Sequence, residues 1–323
     1  MLRLVHQAIA RRLQRLPPAA AAGWAPFSSG AEAADLAFRY VRHNGRPTKP
    51  RTKGLTEIRP ARLRGPYYTP VTPTYLRELL EGVGHAVDGL KYAGGAFSVL
   101  SAQSVRALND TAHQHGVYVS TGGWVEHVLG QGQDVAQRYL TECRELGFDV
   151  VELSTGFISL PTDDLVRLVK DVQQAGLRPK PEVGIQFGAG GDSSPAELRA
   201  EGTIDVSWAI HRAQRCLQAG APLVMIESEG ITEDVDSWRT DVVSRLVDAL
   251  GTEQLMFEAA GTFGHAQLAV PGGYVKTFGA DVYLFVDHSQ IVQLECLRRG
   301  VWGTKGTWGR IATYGEAEKS GSN

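Results

Sequence analysis

Apolar runs recur along this chain, and the clearest is Ala221-Pro222-Leu223-Val224-Met225-Ile226, which ends abruptly in Glu227-Ser228-Glu229-Gly230. Before it, Cys216-Leu217-Gln218-Ala219-Gly220 reads as a helix end closed by a glycine. An unbroken apolar strand is what a parallel sheet covered on its outer face looks like. A carboxylate at the carboxyl end of such a strand is where parallel α/β folds keep their chemistry.

The same unit repeats. Strands are expected at 54–59, 87–92, 117–121, 149–153, around 181–184, at 221–226, 255–260 and 281–285. Pro179 and Pro181 count against the fifth of these. Helical spacing covers 74–83, 101–115, 134–146, 161–175, 203–219 and 232–250. A further helix ends at 274–278, and the last runs over 288–299. Gly84, Gly116, Gly147, Gly176, Gly251, Gly279 and Gly300 stand as stops. Strict alternation of strand and helix implies right-handed βαβ units. The expected fold is α/β, a single (β/α)8 TIM barrel over 53–312. A doubly wound open sheet is the alternative. It needs a glycine-rich phosphate turn after the first strand, and Glu57-Ile58-Arg59-Pro60 offers none.

The ends of the chain read differently. Residues 1–30 hold Arg3, Arg11, Arg12 and Arg15 without an acidic residue, interspersed with Leu2, Leu4, Val5, Ile9, Leu13 and Leu16. Such a segment reads as a disordered mitochondrial presequence, with a plain disordered tail and a cytoplasmic protein as the alternative. Residues 31–52 read as a solvated basic linker, and 313–323 as a disordered polar tail.

Composition narrows the functions. The chain has 323 residues, 43% hydrophobic and 21% charged, with a net charge of −2. That balance gives no case for nucleic acid or an anionic membrane as partner. No stretch approaches the roughly 20 apolar residues of a membrane span. Cys143, Cys216 and Cys296 lie far apart and read as buried thiols, not as a disulfide or zinc framework.

The strand tips carry the candidate chemistry. Measured from the preceding glycine, the tips are Lys91, Glu152, Glu182, Glu227, Glu258 and Asp287, with Glu57 as a further candidate. Five carboxylates at one barrel mouth would repel one another, so either some are protonated or a cation sits among them. Carboxylates without cysteine favour a hard cation such as Mg2+. Any one of them could instead point outward to a loop Arg or Lys. Lys91 stands between Leu90 and Tyr92, where burial would lower its pKa and suit acid–base work. Gly94-Gly95 and Gly122-Gly123, with Ser120 and Thr121, could cradle a phosphate or sulfonate through bare backbone amides. His288 reads as a substrate ligand or a helix cap. His113 and His115 read as structural, in the last turn of a helix. His127 stays open.

Four stretches share a further property: 87–95 (VDGLKYAGG), 116–122 (GVYVSTG), 145–153 (ELGFDVVEL) and 286–298 (VDHSQIVQLECLR). They resemble the phosphosulfolactate synthase family, and most nearly its eukaryotic heat-stress-associated branch, over residues 53–303. The resemblance implies a Mg2+-dependent barrel that adds sulfite to phosphoenolpyruvate, giving (2R)-phospho-3-sulfolactate. It implies Lys91 as proton donor and Glu152, Glu182, Glu227 and Glu258 as metal ligands. Gly94, Gly95, Thr121, Gly122, Gly123, Asp287 and His288 would bind the small anionic substrates. A homo-oligomer is an open expectation.

Three departures separate the chain from the archaeal members. They carry a lysine shortly after the Glu182-Val183-Gly184 motif, where this chain has Ile185 and Gln186. Ser154-Thr155-Gly156 replaces their acidic turn. Residues 261–273 (GTFGHAQLAVPGG) are poor helix material and read as a divergent or mis-spliced segment. A second function class therefore stands beside the first: a barrel that has lost this reaction and serves heat-stress tolerance, through protein contacts or on another phosphorylated small molecule.

Overall fold

The computed structural model describes residues 36–59, 72–185, 206–259 and 269–301, apart from Arg39, Arg42, Asp234 and Asp236. The presequence, the polar tail, the glycine-rich stretch 188–202, Gln186 and residues 261–268 lie outside the described residues. Eight strands close on themselves: β1 (Thr56–Arg59), β2 (Gly89–Lys91), β3 (Tyr118–Ser120), β4 (Val150–Leu153), β5 (Arg178–Val183), β6 (Val224–Ile226), β7 (Leu255–Glu258) and β8 (Tyr283–Asp287). Every neighbouring pair is parallel, and β8 returns to β1 through the register Glu57↔Phe285. This is the (β/α)8 barrel the alternation predicts.

The helices are α1 (Pro73–Val83), α2 (Ala102–Gln114), α3 (Val125–Leu129), α4 (Gln133–Glu145), α5 (Thr162–Gln174), α6 (Val206–Gln218), α7 (Thr240–Leu250), α8 (Ala269–Phe278) and α9 (Ile291–Arg298). Helix α5 shows how the sequence makes them. Leu165, Leu168, Val169 and Val172 fall three or four apart, and all four are buried. They join the outward-facing residues of the strands, such as Val151, Leu153 and Val183, in the larger apolar cluster. Burial of each such side chain is worth about 1.5–3 kcal/mol.

Alternation along each strand sends the other residues inward. Leu55, Leu223, Met225, Met256, Tyr283 and Phe285 form a second, separate apolar cluster in the barrel interior. They come from β6, β7, β8 and the approaches to β6 and β1. On the other strands the inward face carries Glu57, Lys91, Glu152, Lys180 and Glu182, beside the uncharged Gly89, Tyr118, Ser120 and Val150.

Strand β5 settles the doubt over Pro179 and Pro181, for it is a full strand of six residues. The Arg178 N–H donates to the Asp149 carbonyl on the β4 side. By the two-residue alternation the proline nitrogens face β6, where pairing begins only at Glu182↔Met225. No ladder donor is lost there.

The basic linker is different from its expected form. Arg46, Lys49 and Arg51 lie packed against the amino-terminal end of the barrel. Arg51 pairs with Asp88 at 2.9 Å, and Arg46 with Glu295 at 3.2 Å. Lys49 donates to the carbonyls of Gly84 and His115 at 3.1 and 2.9 Å. Arg298, fully buried, donates to the carbonyls of Gly54, Leu55 and Val282. These side chains bond carbonyls and carboxylates at the strand and helix ends under the barrel.

Two helix expectations need correction. The described residues among 232–239 are not helical, because the amides of Ile231, Thr232 and Glu233 all turn back to the Ser228 carbonyl. Residues 269–273 are helical despite Pro271-Gly272-Gly273. Pro271 falls in the first turn of α8, where a missing N–H costs nothing. At Gly273 a Cβ would stand 2.0 Å from the Trp238 ring, so the glycine is a packing requirement. Cys143 and Cys216 are buried free thiols as expected, while Cys296 is partly exposed.

Candidate functional site

The inward positions of β1 to β5 make one connected chain of charge. Tyr118 donates to Glu57 Oε2 at 2.7 Å, and Lys180 Nζ bonds Glu57 Oε1. Lys180 also meets Glu152 Oε2 at 3.0 Å. Glu152 Oε1 meets Lys91 Nζ at 2.8 Å, and Lys91 reaches Glu182 Oε2 at 3.3 Å. Lys91 Nζ also lies 4.4 Å from the centroid of the Phe285 ring. Glu57 and Glu152 are fully buried, and Lys180 is 1% exposed.

At the carboxyl end, the chain meets a second group. Glu182, Glu227 and Glu258 each offer a carboxylate oxygen, and these oxygens lie within 4.8 Å of one another. They stand at the ends of β5, β6 and β7, directly above Met225 and Met256 in the inward alternation. An all-carboxylate donor set at that spacing fits a hard divalent cation. The Glu227 carboxylate is aimed by its own turn, accepting from the Ser228 amide at 2.8 Å.

The two groups titrate in opposite senses. Burial pushes Glu182 up to about 8, helped by the charges of Glu152 and Glu258. Burial pushes Glu227 well above the carboxylate range, with Glu258 and Glu182 adding to it. Burial would push Glu152 up too, but Lys91 and Lys180 outweigh it and hold it below its ordinary value. Burial would likewise lower Lys91, yet Glu152, Glu182, Glu258 and Glu57 together hold it well above the ordinary lysine range. The expected depression of the Lys91 pKa is therefore reversed, and its ammonium stays charged at neutral pH.

Of the four expected metal-ligand candidates the structure gathers three. Glu152 is set apart because both of its oxygens are taken by lysines. Of the four cradle glycines, Gly95 and Gly122 are packed against protein. A Cβ on Gly122 (φ +67°) would lie 1.8 Å from the Tyr92 carbonyl oxygen, and one on Gly95 (φ +80°) 2.0 Å from the Trp124 ring. Those glycines permit close packing between the loops after β2 and β3. Gly94 is exposed, and Gly123 lies against Ser154. Thr121 is buried and donates to the Gly122 carbonyl at 3.1 Å while accepting from the Glu152 amide at 3.2 Å.

Asp287, rather than His288, is the cap of the last helical segment. It accepts from the Ser289 amide at 3.0 Å, and Gln290 completes a capping box. Asp287 also pairs with Arg59 at 3.4 Å and with His288 Nδ1 at 3.2 Å. His288 packs edge-on to Tyr75 with ring centroids 5.8 Å apart. His113 pairs with Asp149 at 2.8 Å on the outside of the barrel, a structural place as expected. Ile185 is buried in the outer apolar cluster.

Sequence reasoning missed Lys180, Tyr118 and Glu126. The alternation Arg178, Lys180, Glu182 carried the signal for Lys180, hidden by the two prolines. Glu126 braces the Ser154-Thr155-Gly156 turn, accepting from the Ser154 hydroxyl and from the Gly156 and Phe157 amides at 3.1 and 2.6 Å.

Fold and site together define a (β/α)8 barrel with an acidic, lysine-bearing mouth at the carboxyl ends of its strands. The chain belongs to the (2R)-phospho-3-sulfolactate synthase (ComA) family, whose model matches residues 44–304. It is 37% identical over 271 residues to Protein HEAT-STRESS-ASSOCIATED 32 of Arabidopsis thaliana, covering 80% of this chain and 90% of that one. It is 24% identical over 265 residues to the phosphosulfolactate synthase of Methanothermobacter thermautotrophicus, covering 80% and 93%. Among solved structures, the carboxyl transferase domain of Rhizobium etli pyruvate carboxylase is similar with a TM-score of 0.51. It has 11% identity and covers 74% of this chain and 40% of that one, a likeness of fold alone. Among the described residues, no helix is long and apolar enough to cross a membrane.

Proposed function

We propose that this barrel adds sulfite to phosphoenolpyruvate, giving (2R)-phospho-3-sulfolactate, with Mg2+ held by Glu182, Glu227 and Glu258. The observation that carries the reading is the glutamate triad beside a charged Lys91 at the mouth of a barrel of this family. In the reaction a C–S bond forms at the methylene carbon, charge builds on the carboxylate, and C2 takes a proton. Bound Mg2+ would supply Lewis-acid stabilisation of that carboxylate charge. Lys91 brings a fixed positive charge to the same place, and its Nζ proton is the candidate for C2. Glu152 keeps Lys91 charged. The apolar floor of Met225, Met256 and Phe285 keeps water from below and strengthens each charge above it.

The relative named for heat stress, at 37% identity against 24% for the archaeal synthase, favours a second reading. In it the barrel serves heat-stress tolerance, through protein contacts or on another phosphorylated small molecule. The arginine-rich start is the basis for proposing a mitochondrial address, with the cytoplasm as alternative.

Phosphorus NMR of the full chain with phosphoenolpyruvate, sulfite and Mg2+ separates the two readings. A new phosphate-ester signal that requires sulfite and Mg2+ and vanishes in Lys91→Ala supports the synthase. Folded protein that gives no such signal moves the weight to the second reading.

A further inference from the structure

We propose that Lys180, backed by Glu57 and Tyr118, is a positioning residue that holds the Lys91 ammonium against Glu182. The inference rests on the reading of Lys91 as the working cation of the site. Glu152 is the strut between the two lysines. Lys180 takes Oε2 at 3.0 Å, so Lys91 is confined to Oε1 at 2.8 Å. From there Lys91 leans to Glu182 at 3.3 Å, over the Phe285 ring. A Glu152 free of Lys180 would draw Lys91 between both of its oxygens and away from Glu182.

Lys180 is itself fixed from three directions. Glu57 holds its ammonium, and Tyr118 holds Glu57 at 2.7 Å. Pro179 and Pro181 flank it, and each locks its own φ at about −65°, so the strand under Lys180 is stiff. Stability alone does not call for these charges. The inward positions of β6, β7 and β8 are filled by Leu223, Met225, Met256, Tyr283 and Phe285. Buried ion pairs replaced by packed apolar residues commonly leave a protein as stable as before. What the ionic pair supplies that an apolar pair would not is the direction of Glu152.

The test reads Lys91 directly, without metal or substrate. Full-chain protein with 15N-labelled lysine is compared by NMR of the ζ-ammonium groups with the variant Glu57→Leu/Lys180→Leu. In the parent, Lys91 gives a slowly exchanging ammonium signal, assigned by its loss in Lys91→Met. In the folded double variant that signal shifts, and it no longer responds to the Glu182→Gln substitution that moves it in the parent. An unchanged Lys91 signal in a folded double variant overturns the proposal, because a merely structural pair would leave Lys91 where it was. If the leucine pair does not fold, the near-isosteric Glu57→Gln/Lys180→Met carries the same readout. Where the parent makes sulfolactate phosphate, the double variant should lose about tenfold in kcat with KM little changed. A parent that makes none speaks against the proposed function, and the ammonium readout still decides this inference.

Discussion

Glu152 and Glu227 are the same residue type at the ends of strands in one barrel, yet their carboxyl groups are pushed in opposite directions. Glu152 sits in the half of the interior built by β1 to β5, where Lys91 and Lys180 hold it ionised. Glu227 sits over the half built by β6 to β8, where Met225, Met256 and Phe285 form the floor and its nearest charges are other glutamates. The ionic half is closed, since its charges are matched pair by pair. The apolar half ends in Glu227 and Glu258, which with Glu182 from β5 make a group of three carboxylates that nothing in the described protein matches fully. A barrel that needed only to be stable would fill both halves as it fills the second. The division therefore separates the part that positions Lys91 from the part that can take a cation.

The largest expected effect breaks the ionic half. Lys180→Met alone leaves Glu57 buried without its lysine and should cost about 3–5 kcal/mol in urea unfolding. A loss under about 1 kcal/mol would mean that water reaches Glu57. In the apolar half, Met256→Ala should cost about 2–4 kcal/mol through the cavity it leaves, with the glutamate mouth intact.

The next effect is one of pH. Glu182 is raised to about 8, so its protonated form is the one the metal-free fold favours. Its contribution to stability is full below the ordinary carboxylate range and is lost as pH climbs toward about 8. A divalent cation must displace that proton. Its affinity should rise with pH by about tenfold per unit for each proton displaced, from Glu182 and from Glu227, and the Glu182 part of that rise flattens above about 8. Calorimetry in buffers of different ionisation enthalpy checks the proton release.

The smallest effect lies at the rim. Asp287 is held down at about 2, where burial is outweighed by His288 and Ser289. Its contribution is present above its unfolded value and is lost as pH falls toward about 2. Asp287→Asn keeps a capping oxygen and should cost about 1 kcal/mol or less, measured by thermal unfolding.

The strands and the glutamates of the mouth were legible because both follow from one rule. A glycine ends a helix, one barrel strand follows, and its last inward residue faces the mouth. That rule places Glu182, Glu227 and Glu258 from Gly176, Gly220 and Gly251 alone. It does not place Glu152 in its role, because whether a carboxylate meets a lysine depends on register across the barrel. Lys180 was illegible for a different reason. Prolines argue against a strand until it is known which neighbour needs no donor. Arg46 and Arg51 read as solvated charge, since their partners are carbonyls and carboxylates far away along the chain. Gly273 and Gly122 look like breakers or cradles in sequence. Only the Trp238 ring and the Tyr92 carbonyl beside them reveal packing.

The central claim is that the three glutamates above the apolar floor hold a hard cation while Glu152 does not. It is tested most directly by calorimetric titration of Mg2+ into the full chain at pH 8, beside Glu182→Gln/Glu227→Gln/Glu258→Gln. The account predicts one saturable site in the parent and none in the folded triple variant. Equal binding by both proteins, or no binding by the parent, would contradict it.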